Sequence, residues 1–531
     1  MSASAPTQSA PLTQPLLVPG PAWRRWMALA VLMLPVLLIA IDNTVLGFAL
    51  PQISLDFGAD GTMLLWIVDA YPLVLAGLLV TMGSLSDRFG RRRLLLLGGI
   101  GFTAVSVSVI FVESAAGLIA VRALLGVFGA MLMPAVLSLI RNLFTDRNER
   151  RTALAIFAGG FSSGAALGPV LGGVLLESFH WHSVFLLAIP VLVPMLILMP
   201  IFVPESRDPN PGPISFPDMF LSIAALGPAV LAIKTIGSHG FTPTVFISAA
   251  ISIIAGLWFA RRQLTREHPL LDLRLFTNAP FAGSVAANLL AVFSLTGFLY
   301  FASQYLQLAL GIRPLIAGLV LLPGTVVMVL AGLAAVRIVR RIPVNRVMAS
   351  GLVLSSLGYL ILTLVGDRAS ALSIAVAFFV MAIGIGAAET LSNDAIISAV
   401  PAARAGSASA ISETAYEVGA VLGTAVLGSI ITASYRGAIE LPAGLSAEQQ
   451  ALAGETLGGA VNVATNLPAG LADELMVAAN HAFASGVTLT STIGAIVVAL
   501  SAVLTLIALR TPAQVARGQR DRRMRARSTA E

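Results

Sequence analysis

The sequence predicts an all-α polytopic membrane protein with fourteen spanning helices. Three observations carry that prediction. First, 57% of the 531 residues are hydrophobic and 11% are charged, with a mean hydropathy of +0.90, whereas a soluble domain carries about 25% charged residues. Second, apolar runs recur along the chain at about the 20-residue length that crosses a bilayer. Third, counting those runs as crossings gathers the basic residues on one side of the membrane.

Taken in order, residues 1–22 are rich in Ser, Pro, Thr, Gln and Ala and lack the charged start of a signal peptide. They read as a disordered cytoplasmic tail. The apolar run that begins near Trp26 is too long for a signal sequence and stays as the first span. The spans are predicted at 26–49, 63–82, 94–112, 116–140, 153–176, 182–203, 217–236, 243–260, 280–307, 314–336, 346–365, 371–396, 405–432 and 484–509. The segments 217–236 and 243–260 are the least regular, being short and carrying Asp218 and Lys234.

With fourteen spans both termini share a side, and 27 of the 32 Lys and Arg fall in the tails and loops of that side. Only Arg313, Arg368 and Arg436 fall opposite, while Arg122 and Lys234 lie within spans. A miscount by one in the middle would scramble this asymmetry. The positive-inside rule therefore places both termini in the cytoplasm, in a cell inner membrane.

The chain divides into a six-helix bundle at 23–205, a linker with two extra spans at 206–274 and a second six-helix bundle at 275–510. A basic tail, 511–531, follows. The basic loop Asp87–Arg93 after the second span has a weaker counterpart, Arg337–Arg346, in the second half. A parallel repeat of this kind predicts two bundles with a substrate path at their interface. Residues 433–483 form an unusually long outer loop in which Ser446–Ala460 and Leu471–Ala484 have helical spacing. A short helical hairpin and a flexible loop are both open there.

Several function classes are excluded or disfavoured. Cysteine is absent, so there are no disulfides or thiolate metal sites, and the five His have no metal-ligand spacing. No phosphate-binding loop and no nucleophile–base set is visible. The sequence thus predicts no cofactor, no metal, no enzymatic activity and no nucleic-acid partner.

The lead to function is six acids in or beside the apolar runs: Asp42, Asp69, Glu389, Asp394, Glu413 and Glu417. A carboxylate inside a membrane is expensive unless it faces water, finds a partner or takes up a proton. Glu413 and Glu417 are four residues apart, so they share a helix face with Tyr416 beside them. Two such neighbours cannot both stay charged away from water, which points to proton uptake. Trp66 and Asp69 also share a face, a pairing that suits a lipophilic cation. Asp42 either caps a break, pairs with Arg122 or takes part in proton coupling. Arg122 needs an acid or backbone carbonyls. Glu389 is placed to line the path, whereas Asp394 belongs at the interface with water.

Four stretches in order along the chain carry a resemblance. They are Gly83-Ser-Leu-Ser-Asp87-Arg88-Phe-Gly90-Arg91-Arg92-Arg93, Ile41-Asp42-Asn-Thr44-Val45 through Pro51, Arg122-Ala-Leu-Leu-Gly126-Val-Phe-Gly129, and Gly164-Ala-Ala-Leu-Gly168-Pro169-Val-Leu-Gly172-Gly173. Together they resemble the signatures of the major facilitator superfamily and its fourteen-span drug:proton antiporters, from about Trp26 to Arg510. The stretches Trp66-Ile-Val-Asp69-Ala-Tyr71 and Ser412-Glu413-Thr-Ala-Tyr416-Glu417 are similar to those of pumps for quaternary ammonium compounds, methyl viologen and dyes.

The resemblance implies a major facilitator fold of two six-helix bundles plus two central helices. It implies proton coupling by Asp42, Arg122, Glu413 and Glu417, and cation binding by Asp69, Trp66, Tyr71, Glu389 and Tyr416. Asp87, Arg88, Gly90 and Arg91 would form a conformational latch. Gly164, Gly168, Pro169, Gly172 and Gly173 would pack closely enough to seal the route between the bundles. Ser412 stands where one branch has a second Glu, and the tenth span lacks that branch's acid.

The expected function is proton-coupled efflux of lipophilic cations by a monomer whose partners are the cations, protons and membrane lipids. The rivals are an exporter of a native metabolite or lipid-like compound on the same fold, and a non-transporting membrane sensor or assembly protein.

Overall fold

The computed structural model describes residues 22–208, 215–266, 269–400 and 405–509. The two predicted tails and part of the Pro-rich segment before the central spans lie outside these residues. Among the described residues, fourteen helices are long and apolar enough to cross a membrane, matching the predicted count. They are α1 (Ala22–Phe57), α2 (Gly61–Phe89), α3 (Arg91–Ser108), α4 (Ala115–Leu143), α5 (Arg147–Ser178) and the pair α6 (Ser183–Leu186) and α7 (Ala188–Phe202), which make one crossing. Then follow α8 (Phe216–His239), α9 (Pro243–Thr265), α10 (Ala279–Gln304), α11 (Pro314–Ile338), α12 (Val344–Val365), α13 (Ala371–Ser398) and α14 (Ala405–Ala438). Two short helices, α15 (Ala447–Glu455) and α16 (Leu457–Ala464), precede the last crossing, α17 (Ala469–Ala508). Most helices run a turn or more past the predicted apolar limits, because polar ends continue the helix beyond the hydrocarbon.

The packing repeats between halves. In the first half α1 lies on α5 and α2 on α4; in the second α10 lies on α14 and α11 on α13. The halves meet where α5 packs on α11 and α2 on α14, contacts that exchange under the repeat. The central hairpin stands outside both bundles. α9 lies on α8, and α8 leans on α2 and α14, one helix from each half. Asp218, fully buried, is held by Arg262 at 2.5 Å and Arg266 at 2.9 Å. That fork explains why an acid is tolerated at the start of this span. The outer side of α9 exposes Ile251, Ile254, Leu257 and Trp258, as a lipid-facing surface should.

An even number of crossings puts Ala22 and Ala508 on one face. The arginine-rich turns at 91–93, 261–274 and 337–346 share it, and it is called the basic face below. At the opposite face the two halves are tied together. Gln307 donates to the Phe48 carbonyl at 3.2 Å, and Glu177 pairs with Arg313.

The long loop contributes to the same closure. Ser446–Ala460 is helical but is not one arm: α15 opens with a capping box from Ser446 and Gln449 and ends at Thr456, which caps α16 in turn. The helical-hairpin reading is wrong about Leu471–Ala484 as a separate arm, since those residues are the first turns of α17, continuous with the last span. Nothing interrupts the helical register there, so the spanning helix extends about 15 residues earlier than its apolar core indicates. α16 lies over the end of α1. Asn462 donates to the Leu55 carbonyl at 3.1 Å, and a Cβ on Gly458 would collide with the Ser54 hydroxyl. Tyr435 of α14 donates to the Ala453 carbonyl at 2.9 Å, and Arg436 pairs with Glu455 at 3.3 Å.

Candidate functional site: a charged cleft between the two halves

The site is built from three charge clusters, two of them buried and the third partly buried, around a cleft at the interface of the halves. The first lies inside the first bundle. Asp42 of α1 and Arg122 of α4 are both buried and paired at 2.8 Å. Arg122 also donates through Nε to the Ile67 carbonyl at 3.2 Å, and its guanidinium lies 4.7 Å from the centre of the Tyr71 ring. The cation therefore has both partners that its burial requires, an acid and a carbonyl, and an aromatic face besides. Tyr71 is fully buried beneath it, edge-on to Phe102 at 6.4 Å. Its place is thus a support for Arg122 within the bundle, not a wall of the cleft.

The second cluster joins α2 to the central hairpin. Asp69 and Lys234 are both fully buried, 2.8 Å apart, and the Lys234 ammonium lies 3.9 Å above the Trp66 ring. Trp66 and Asp69 lie together, and both meet a cation. That cation is the chain's own. Sequence reasoning had treated Lys234 only as a blemish in a weak span. The signal that marks it is compositional: it is the one lysine in a chain that otherwise uses arginine.

The third cluster belongs to the second half. Glu413, Tyr416 and Glu417 lie along α14, and Glu389 of α13 acts electrostatically on Glu413 and Tyr416. Glu417 is buried, one of its carboxylate oxygens has no hydrogen-bond partner, and the charges of Asp42, Arg122 and Glu413 act on it. This side chain links the first cluster to the third across the interface. Tyr416 meets Phe161 of α5 edge-on at 5.7 Å, another contact between the halves. Beside Glu413, Ser412 donates to the Asn393 side chain at 3.2 Å and accepts from Asn288 at 3.3 Å. A serine at this position ties α10, α13 and α14 together without adding charge. Asp394 is exposed, as expected.

The cleft itself is lined by Asn43, Thr44, Asp69, Arg122, Tyr300 and Tyr416, among others, from α1, α2, α4, α10 and α14. Its free volume is about 60 Å³, room for a few waters. A drug-sized molecule needs far more, so loading one requires the halves to part.

The glycine stripe of α5 works differently from expectation. A Cβ on Gly164 would lie 2.8 Å from the Ala40 side chain, one on Gly172 2.9 Å from Val45, and one on Gly168 would collide with Thr44. These three glycines seat α5 on α1 within its own bundle. Only the other edge reaches the second half: a Cβ on Gly173 would lie 2.8 Å from the Leu315 backbone, and Gly318 of α11 abuts the Pro169 carbonyl. The spacing of four aligned the glycines on one face but could not say which neighbour they face.

On the basic face Asp87 pairs with Arg91 at 2.7 Å, and Arg88 is exposed. The turn is locked by residues just after the last helix of the first bundle, to which the sequence reading gives no role. Glu205 accepts from the backbone amides of Arg92 and Arg93 at 3.1 and 3.2 Å, an anion on the N-terminus of α3. Arg91 donates to the Ser206 hydroxyl, and the Asp208 amide to the Asp87 carbonyl. Gly90 has φ 113°, and a Cβ there would lie 2.8 Å from the Glu205 carboxylate carbon. Both facts demand glycine.

Comparison with known proteins follows the same line. A sequence model of the Major Facilitator Superfamily matches residues 32–424. The chain is 52% identical over 487 residues to the multidrug efflux pump LfrA of Mycolicibacterium smegmatis, covering 92% of this chain and 97% of that one. It is 36% identical over 466 residues to the methyl viologen resistance protein SmvA of Salmonella typhimurium, covering 87% and 93%. Among solved structures it resembles a bacterial homologue of the human lysosomal transporter Spinster in its inward-facing, unoccupied form. The TM-score is 0.64 at 18% identity, over 93% of this chain and all of the other.

Proposed function

The chain belongs to the major facilitator superfamily, and from that premise we propose that it is a proton-coupled efflux antiporter for lipophilic cations. The observation that carries this reading is the position of Glu417, buried, with one carboxylate oxygen lacking a hydrogen-bond partner and within reach of the charges of Asp42 and Arg122 in the other half. An acid so placed is costly when charged and forms no ion pair among the described residues, which suits a group that binds a proton in one state and yields it in another. Relatives named for multidrug efflux and methyl viologen resistance support export, and cationic substrates in particular.

In this reading Asp69 and Trp66 attract the cation while Tyr416 and Tyr300 line its path. Glu413, Glu417 and Glu389 exchange protons, with Asp42 and Arg122 fixing the field that Glu417 feels. Protons arriving on one side of the membrane displace the drug, and their loss on the other restores the charge. The basic face is assigned to the cytoplasm and the protein to the cell membrane.

The test is dye efflux in proteoliposomes with and without an imposed pH gradient. The wild type should export a cationic dye only with the gradient. Glu417→Gln should bind the dye yet lose gradient-driven export. Gradient-driven export by that variant at the wild-type rate would remove Glu417 from the coupling.

A further inference from the structure

Lys234 is the single lysine among the 32 Lys and Arg residues, and it is buried within a helix long and apolar enough to cross a membrane. Its surroundings are those of a cation-binding site: a carboxylate at 2.8 Å, an indole face at 3.9 Å and no exposure to solvent. The ammonium thus occupies the place that a lipophilic cation would take at Asp69 and Trp66, although neither Asp69 oxygen nor the ammonium meets full hydrogen-bond geometry there. Asp69 also borders the cleft, so a cation arriving there meets a carboxylate whose charge is neutralised from behind. The ammonium is carried by α8, which belongs to neither bundle and touches both.

We propose that Lys234 is a tethered competitor for the substrate cation. It holds the Asp69–Trp66 seat until a substrate takes the carboxylate, and it leaves the seat when that happens. The identity of the residue fits the task. A lysine ammonium is a compact point charge on a flexible four-carbon stem, whereas arginine would grip the carboxylate with a planar, two-pronged fork. The tether also sets selectivity. It keeps a lone negative charge from standing open in the membrane, and it admits only cations that interact with Asp69 more strongly than Lys234 does. Because α8 packs on both halves, release of Lys234 frees a link between the central hairpin and the first bundle.

This inference rests on the cation-export reading, and its test separates the two. The purified full-length protein is treated by reductive methylation with and without saturating tetraphenylphosphonium, and the peptide containing Lys234 is quantified by mass spectrometry. With one lysine in the chain the signal is unambiguous. Lys234 should be protected without the cation and modified about tenfold faster with it, a factor that corresponds to a modest shift in occupancy. Asp69→Asn should expose Lys234 without any cation. Binding is measured in parallel. Lys234→Met should bind tetraphenylphosphonium about tenfold more tightly, and the gain should vanish in Lys234→Met/Asp69→Asn.

If Lys234→Met does not fold, the methylation of the native protein decides. Protection unchanged or increased by the bound cation overturns the proposal, as does a folded Lys234→Met that binds no more tightly. Failure of the wild type to bind the cation at all would instead overturn the cation-export reading.

Discussion

At the scale of single residues, the site is a set of charges that the membrane interior cannot leave unbalanced. Asp42 and Arg122 balance each other at 2.8 Å, and the Ile67 carbonyl and Tyr71 ring take up the rest of the guanidinium's demand. Removing one member of a buried pair strands the other, at a cost of about 3–5 kcal/mol. Asp42→Asn is therefore expected to lower the thermal stability of the detergent-solubilised protein sharply, whereas Asp87→Asn, at a partly exposed pair, should change it little. Equal shifts in the two would mean that Arg122 finds another partner. Gly90→Ala should be costly for a different reason, a left-handed backbone and a contact with Glu205. Glu205→Gln keeps the shape but removes the charge that meets the start of α3, and should cost on the order of 1 kcal/mol in thermal or denaturant unfolding.

At the scale of elements, the two features outside the bundles matter most. The central hairpin α8–α9 is a brace between α2 and α14, its two helices tied to each other at one end by Asp218 with Arg262 and Arg266, and tied to α14 at the other by Arg436 donating to the Ser238 carbonyl. The pair α15–α16 is a lid that rests on α1 from one half and α14 from the other. Replacing residues 446–464 with a short Gly/Ser linker is expected to slow dye export while leaving membrane insertion intact, because the spanning helices do not depend on the lid for their length. Export at the wild-type rate by the shortened protein would reduce the lid to a passive covering.

At the scale of the whole molecule, the halves meet through contacts that exchange under the repeat, and the ties at the opposite face must break for the molecule to open there. The chain has no cysteine, so an introduced pair reports without background. Glu177→Cys with Arg313→Cys, bridged by a short bifunctional thiol reagent, should stop export, and cleavage of the bridge should restore it. A bridged protein that still exports would show that these two residues stay together throughout the cycle.

The sequence by itself determined the class, the number of crossings and their order, because hydropathy and the side preference of basic residues are properties of each segment alone. It also named most of the buried acids, since a carboxylate in an apolar run is conspicuous whatever surrounds it. It did not determine which charge meets which. Asp69 and Lys234 are 165 positions apart, and only the docking of α8 on α2 brings them within 2.8 Å. The same holds for Glu205, which has no evident role until the chain after α7 folds back onto the start of α3, and for the α5 glycines, whose common face is evident but whose neighbour is not. The start of α17 is legible as helical but not as part of the last span, because its first turns are too polar to join the apolar core, yet the helix continues through them. Periodicity fixes a face and hydropathy a depth, but the partner across that face is chosen by packing between distant segments, and there the charges acquire their roles.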